Sequence, residues 1–298
     1  MNDNKFISIL ADTTMKYLMK KKETRDIYLE LFSDIIGIDL TNYILVDNEL
    51  NSGNNIKELR LDLLLENGDI LVNIEINNQI VEYTSIKNLT YAFRLAGSRH
   101  EKGNNYYAKQ VIQINLNREK FTRGTGVLPY ELRNKNYDLV KKGVKIYDVY
   151  LENYKDICYN GDNKNEMLLS MLTAKDNNSL KRIVNSNKEG IVIMDELDRL
   201  RKDDKFNAYY DAEKVNEMTR ETAYLEGIDK GKLAGEREKQ IEIAKKLKSL
   251  SMSDNDISNV TGLSLEELDK IVKKFKWCQF YKFRVYGDNK NELLLWMS

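Results

Sequence analysis

Histidine and cysteine are almost missing from this chain, and both absences narrow its chemistry before any motif is read. Among 298 residues there is one histidine, His100, and there are two cysteines, Cys158 and Cys278. One histidine cannot furnish a multi-histidine metal site and makes a histidine-based triad hard to build. Two cysteines outside any CxxC pattern exclude a disulfide framework and argue against structural zinc. Hydrolytic chemistry would therefore rest on carboxylates, lysine, tyrosine or amides. Proline is reduced to Pro129, which permits long uninterrupted helices, although an AT-rich coding sequence would deplete proline equally well. An excess of one charge is missing too, since 47 basic residues balance 47 acidic ones. That excludes the strongly basic signature of a nucleic-acid coat protein and leaves room for a local basic cleft. No run reaches the ~20 apolar residues of a membrane span, and the apolar stretch at 6–10 is too short for a signal-peptide core. The expectation is a cytoplasmic protein with no membrane partner. With 42% hydrophobic and 32% charged residues, the chain can bury a core and is expected to form one large or two modest domains.

Residues 5–37 read as helical, because Ile7, Leu10, Met15, Leu18, Ile27, Leu31 and Ile35 recur at helix-like steps. Gly37 stands where a cap would end the helix, and a polar stretch at 47–55 closes this part. From Leu59 the period changes. LRLDLLLE, then Asn-Gly, then DILVNIEIN reads as two strands around a tight turn. With Asn67 and Gly68 as the loop, Asp62 faces Asn73 and Glu75 faces Arg60. Alternation then places Arg60, Asp62, Asn73, Glu75 and Asn77 on one face, and Leu61, Leu63, Leu65, Val72, Ile74 and Ile76 on the other. Asp62 and Glu75 become diagonal neighbours about 7 Å apart at the backbone. A helix over 83–102 follows, with Ile86, Leu89, Phe93 and Ala96 along one side, then a strand over 110–117, which together make a βαβ unit. A fourth strand is expected over 143–153.

After about residue 155 the pattern turns helical. Gly227, Gly231 and Gly235 fit either close helix packing between subunits or a loosely helical linker. The linker is favoured, because glycine costs about 1 kcal/mol per helix position. Residues 240–274 read as a compact helical unit with N-caps at Ser253 or Asp254 and at Ser264, the latter boxed by Glu267. Its helix-turn-helix outline has an acidic second helix (Glu266, Glu267, Asp269), which suits local structure or oligomer contact better than DNA reading. GDNKNE at 161–166 recurs at 287–292 with a matching apolar continuation, as a duplicated fragment would. The domain expectation is a core at 1–155, a helical region at 156–235, a small helix-turn-helix-like unit at 236–274, and a tail at 275–298 partly repeating 161–171.

Two carboxylates on one hairpin face suit a divalent cation. Mg²⁺ or Mn²⁺ prefers hard oxygen ligands, commonly one or two carboxylates completed by water and substrate phosphate. Asp62 and Glu75 are the candidate ligands, joined by the backbone carbonyl of Ile76. The alternative is that both are ordinary solvated residues. Leu64 and the βαβ unit argue that both faces are partly covered, and a buried carboxylate needs a partner or a cation.

KELRLDLLLENGDILVNIEINN, then a helix and VIQINLN, resembles the PD-(D/E)XK nuclease superfamily. More narrowly it is similar to the recombination-promoting nuclease and transposase family of bacteria. AYLEGIDKGKLAGERE and IEIAKKLKSLSMSDNDISNVTGLSLEEL are similar to the C-terminal part of such proteins, so the likeness covers 5–274. The resemblance implies an α/β fold, with a restriction-endonuclease-like core of a small mixed sheet flanked by helices and an all-α C-terminal region. It also implies a Mg²⁺- (or Mn²⁺-) dependent DNA endonuclease tied to mobile elements or recombination. Asp62 matches the motif aspartate and Glu75 the motif glutamate. The following motif position, usually Lys and often Gln in this branch, is Asn77, which can hydrogen-bond a water or phosphate but supplies no charge. Lys57, Arg60 or Lys87 is expected to supply the missing cation, Glu30 an accessory acid, and Gln113 a further contact. The rival expectation is a catalytically impaired DNA-binding or scaffold protein derived from a nuclease, forming homo-oligomers through its C-terminal helices.

Overall fold

The computed structural model describes residues 5–46, 49–50, 59–98, 109–138 and 143–271. Lys57, the second GDNKNE and the tail at 275–298 lie outside the described residues. Two compact units divide the chain at Val215 and Asn216.

The first unit opens with two helices, α1 (Asp12–Lys20) and α2 (Lys22–Ile36), rather than one over 5–37. The Glu213 carboxylate fixes where α1 starts, accepting from the backbone N–H groups of Asp12 (2.7 Å) and Thr13 (2.9 Å). An acid at a helix N-terminus satisfies orphan donors and the positive end of the dipole. Lys21 is extended and separates the two helices. Gly37 ends α2 in the left-handed conformation and donates to Ser33 O, as its position in the sequence suggests.

Eight strands follow among the described residues. They are β1 (Ile44–Val46), β2 (Glu49–Leu50), β3 (Leu59–Arg60), β4 (Leu63–Asn67), β5 (Ile70–Asn77), β6 (Gln110–Asn117), β7 (Val127–Glu131) and β8 (Val144–Tyr150), with α3 (Thr84–Ser98) between β5 and β6. Six form one mixed sheet in the order β1-β4-β5-β6-β8-β7, and β2 pairs with β3. At its centre β5, β6 and β8 run parallel, so the βαβ unit is present. The strand at 127–131 was not expected from sequence. It carries Pro129 at the sheet edge, where proline is tolerated because no neighbour needs its missing N–H.

The hairpin is present with a different turn. Asn67 pairs with Ile70 and Leu64 with Asn73, so Gly68 and Asp69 form the loop. Gly68 alone of the loop pair has a positive φ, +54°, the arrangement in which glycine comes first in a two-residue hairpin turn. Each expected pairing therefore moves by two residues. An even shift preserves facing, and the assignment of Asn73, Glu75 and Asn77 to one side stands. The first strand is broken at Asp62, which lies in a bend. Leu61 consequently leaves the Leu63/Leu65 side and packs with Leu64 and Leu71.

The two sides of the sheet differ. One side joins Leu63, Leu65, Val72, Ile74, Ile112, Ile114 and Leu116 to α1, α2 and the later helices in the main core. Helix α3 covers the other side, and the side that carries Ile86, Leu89 and Phe93 is turned away from the sheet. Thr84, Asn88, Ala92 and Leu95 are buried, whereas Ile86, Leu89 and Phe93 are exposed. The reason lies in the sheet beneath. Its parallel strands begin apolar (Leu71, Val111, Val144) and become polar toward their carboxyl ends, so the helix matches them with Ala92 and Leu95, then Asn88 and Thr84.

Helices α4 (Lys164–Thr173), α5 (Asn177–Val184) and α6 (Lys188–Arg201) complete the first unit with the start of α7 (Asp204–Ser249). Residues 202–203 separate α6 from α7, and α7 continues unbroken through Gly227, Gly231 and Gly235. In the second unit, Ala244, Ile257, Leu263 and Leu268 form a small core. There α8 (Asp254–Thr261) is capped by Ser253, which accepts from Asp256 N–H. Ser264 and Glu267 exchange capping bonds of 2.8 and 3.3 Å, as the sequence suggests. No helix among the described residues is long and apolar enough to cross a membrane.

Candidate active site

The bend at Asp62 and the strand β5 grip each other. The Asp62 carboxylate accepts from the Ile76 backbone N–H at 2.7 Å, and the Glu75 carboxylate accepts from the Asp62 backbone. Leaving the β4 ladder frees Asp62 for this exchange, and it brings the two acids together as expected from sequence. For Ile76 the polar group in use is its N–H, which holds Asp62.

Glu75 is buried, and its carboxylate meets two further groups. Asn73 Nδ2 donates to Glu75 Oε1 at 3.2 Å, and Lys87 Nζ from α3 lies 3.8 Å from Glu75 Oε2. The same Nζ donates to Asn77 Oδ1 at 2.9 Å. Of the three cations considered from sequence, Lys87 reaches the acids. Arg60 lies on β3, which pairs with β2 and not with a strand of the main sheet.

Parallel register extends the site sideways, pairing Asn73 with Gln113, Glu75 with Asn115, Asn77 with Asn117 and Asn115 with Asp148. Hydrogen bonds link these groups into a chain, which the Lys87–Glu75 ion pair closes into a ring. Asn73 donates to Gln113 (3.3 Å), Gln113 to Asn115 (2.8 Å), and Asn115 to Asp148 (2.7 Å). Asn117 also hydrogen-bonds Asp148 and accepts from Asn77 (2.9 Å), which leads back to Lys87 and Glu75. Gln113 further donates to Asn88 O of α3 at 2.9 Å. Gln113 is thus brought in as a brace, one side chain removed from Glu75. Such a ring locks amide orientations, because each link has a defined donor and acceptor.

The electrostatics set this pair apart. Burial pushes the Glu75 carboxyl up to about 8, reinforced by the Asp62 charge and opposed by Lys87 and Asn73. Burial raises Asp62 to about 6, against the Ile76 hydrogen bond, with Asp12 adding to the rise and Lys87 and Lys16 opposing it. Asp12 and Lys16 come from α1, where they pair at 2.8 Å, and Asp12 is itself raised by burial. Neither was singled out from sequence, since a short helix far away in the chain gives no sign of where it docks. The amide ring was more accessible, because NIEIN and QINLN place polar residues at every second position of two strands otherwise fit for burial. Glu30 is not brought to the pair. It is exposed on α2 and bonds Lys164 of α4 at 2.6 Å.

A hard cation needs oxygen acceptors that lack donors. Asp12 Oδ1, Asn73 Oδ1 and Asn88 Oδ1 are buried without a hydrogen-bond partner among the described residues, and burial disfavours the anionic forms of Asp62 and Glu75. This donor set fits Mg²⁺ or Mn²⁺ held by few protein ligands. Among the described residues, no three His, Cys, Asp or Glu side chains are grouped closely enough to hold an ion by themselves. No family model matches the chain, and no curated protein or solved structure matches it significantly.

Proposed function

We propose that this protein is a Mg²⁺- or Mn²⁺-dependent endonuclease that hydrolyses DNA phosphodiesters, with Asp62 and Glu75 as metal ligands and Lys87 as the site's cation. One observation carries the reading: Lys87 Nζ stands between Glu75 Oε2 and Asn77 Oδ1, which gives the motif the positive charge that Asn77 lacks. The choice of DNA, and a place in recombination or mobile-element traffic, rest on the resemblance of the hairpin motif.

When bound, the ion supplies Lewis acidity toward the phosphodiester. Asp62 and Glu75 would hold it, Asp62 fixed by a backbone N–H of β5 and Glu75 by the backbone of the bend at Asp62. Lys87, anchored by the Asn77 amide oxygen, presents charge where the phosphoryl oxygens gain it in the transition state. Asn77 is then a positioning residue, because both ends of its amide are engaged by Lys87 and Asn117.

A charge transplant tests this assignment. Lys87→Asn is expected to lower kcat about 10²- to 10³-fold, the usual cost of one preorganised transition-state donor. Adding Asn77→Lys to that variant returns the charge from the strand and is expected to recover at least tenfold. A Lys87→Asn protein that folds and cleaves like wild type contradicts the role. A second reading, a nuclease-derived DNA-binding or scaffold protein without catalysis, is favoured because no third acidic side chain is grouped with the pair among the described residues. It predicts salt-sensitive DNA binding and no metal-dependent cleavage.

A further inference from the structure

Lys87 reaches the acid pair on a long, flexible side chain, where Asn77 and Glu75 meet its ammonium. A third group comes from its own helix. Tyr91 stands four residues further along α3, a spacing at which helical side chains are neighbours. Lys87 Nζ lies over the Tyr91 ring, 5.5 Å from its centroid, within the ~6 Å over which an aromatic face attracts a cation. The ring is half-buried and packs against the apolar cluster that holds Leu61, Leu64, Leu71 and Leu95, which fixes it independently of the lysine. Burial raises the Tyr91 hydroxyl, the Glu75 and Asp62 charges add to the rise, and Arg94 opposes it. The phenol therefore stays neutral beside the pair.

We propose that Tyr91 is a positioning residue that holds the Lys87 ammonium at the acid pair through the face of its ring. The proposal rests on the nuclease reading for what Lys87 does there, and on the ring contact for how it is held. A divalent ion on Asp62 and Glu75 would repel an ammonium that stands 3.8 Å from Glu75 Oε2, and would draw on the same carboxylate charge that attracts it. What then keeps Lys87 in place must be neutral. Two groups qualify, Asn77 Oδ1 at 2.9 Å and the Tyr91 ring. A further carboxylate would hold Lys87 more firmly, but it would offset the charge owed to the phosphoryl oxygens and compete with the pair for the ion. An aromatic face attracts the ammonium through its quadrupole and leaves that charge intact.

Two measurements on the full chain test it. In proton NMR, the Lys87 ε-methylene signal, assigned by its loss in Lys87→Asn, is expected upfield of the other lysines through the ring current of Tyr91. It should stay there when Mg²⁺ is added. Tyr91→Met, which keeps apolar bulk and removes the ring, is expected to return the signal to the ordinary lysine position, and Tyr91→Phe to keep it upfield. In plasmid cleavage, Tyr91→Met is expected to lower kcat about threefold to thirtyfold, the factor of one such contact. Tyr91→Phe should recover that loss, and Tyr91→Met added to Lys87→Asn should cost nothing further. A wild-type signal at the ordinary position overturns the proposal, as does one that Mg²⁺ sends there. So does an equal loss of kcat in both backgrounds, which marks a general packing defect, or no loss in an active enzyme. An upfield signal in a wild type that cleaves nothing defeats the nuclease reading and leaves the hold of Tyr91 on Lys87 standing. The wild-type signal needs no variant of Tyr91, so it decides even if Tyr91→Met fails to fold.

Discussion

Burial and the Asp62 charge both act on Glu75 to hold its proton, and Lys87 opposes them. The consequence for stability has a definite sign. Unfolded Glu75 titrates near 4.5 and folded Glu75 near 8, so its contribution is fully present below about pH 4.5 and is lost as pH rises through 8. Asp62 behaves likewise between 3.8 and about 6. Without divalent metal, the melting temperature is expected to fall between about pH 4 and 8, the window those shifts span. Glu75→Gln should flatten that slope, because the neutral amide carries no desolvated charge. Mg²⁺ should raise the wild-type melting temperature increasingly with pH, since the ion needs the deprotonated pair, and should not do so for Glu75→Gln. Melts that are pH-independent in wild type contradict the buried-pair description.

At the scale of elements, the helix α3 decides most about the site. Its inner side places Lys87 and Asn88 over the polar carboxyl ends of β5 and β6, and Ala92 and Leu95 over their apolar beginnings. Leu95→Ala is expected to cost about 2–5 kcal/mol, the range for a cavity left by a buried leucine, measured by denaturant unfolding. A cost below 1 kcal/mol would contradict this facing. Apolar stripes usually meet the core, yet the one carrying Ile86, Leu89 and Phe93 is turned away from the sheet. The sheet presents amides and a carboxylate there, and this emerges only once β6 and β8 are set beside β5. The hairpin was more legible. Alternation placed Asn73, Glu75 and Asn77 on one side, and the turn error left that intact because it moved the register by two. The break at Asp62 was hidden, as LRLDLLLE alternates without interruption. Ten residues separate Asn77 from Lys87, and the contact depends on how α3 returns across the strands, so sequence could offer Lys87 as one of three cations without ranking it.

At the scale of the molecule, the polar carboxyl ends of the sheet gather on one side, where burial raises Asp62, Glu75 and Asp148. In parallel sheets that end is where ligands commonly bind. The near absence of histidine and cysteine leaves the chemistry to carboxylates, amides and one lysine, the groups that the ring from Glu75 through Asp148 to Lys87 assembles. Metal-dependent cleavage by this acid pair is the proposed activity. Its most direct measurement is supercoiled-plasmid cleavage by the purified full chain with Mg²⁺, Mn²⁺ or chelator, wild type beside Glu75→Gln. The account predicts nicked or linear product from wild type with either metal, none with chelator, and at least a hundredfold loss in Glu75→Gln. Equal cleavage by the two proteins, or cleavage that survives chelation, would contradict it.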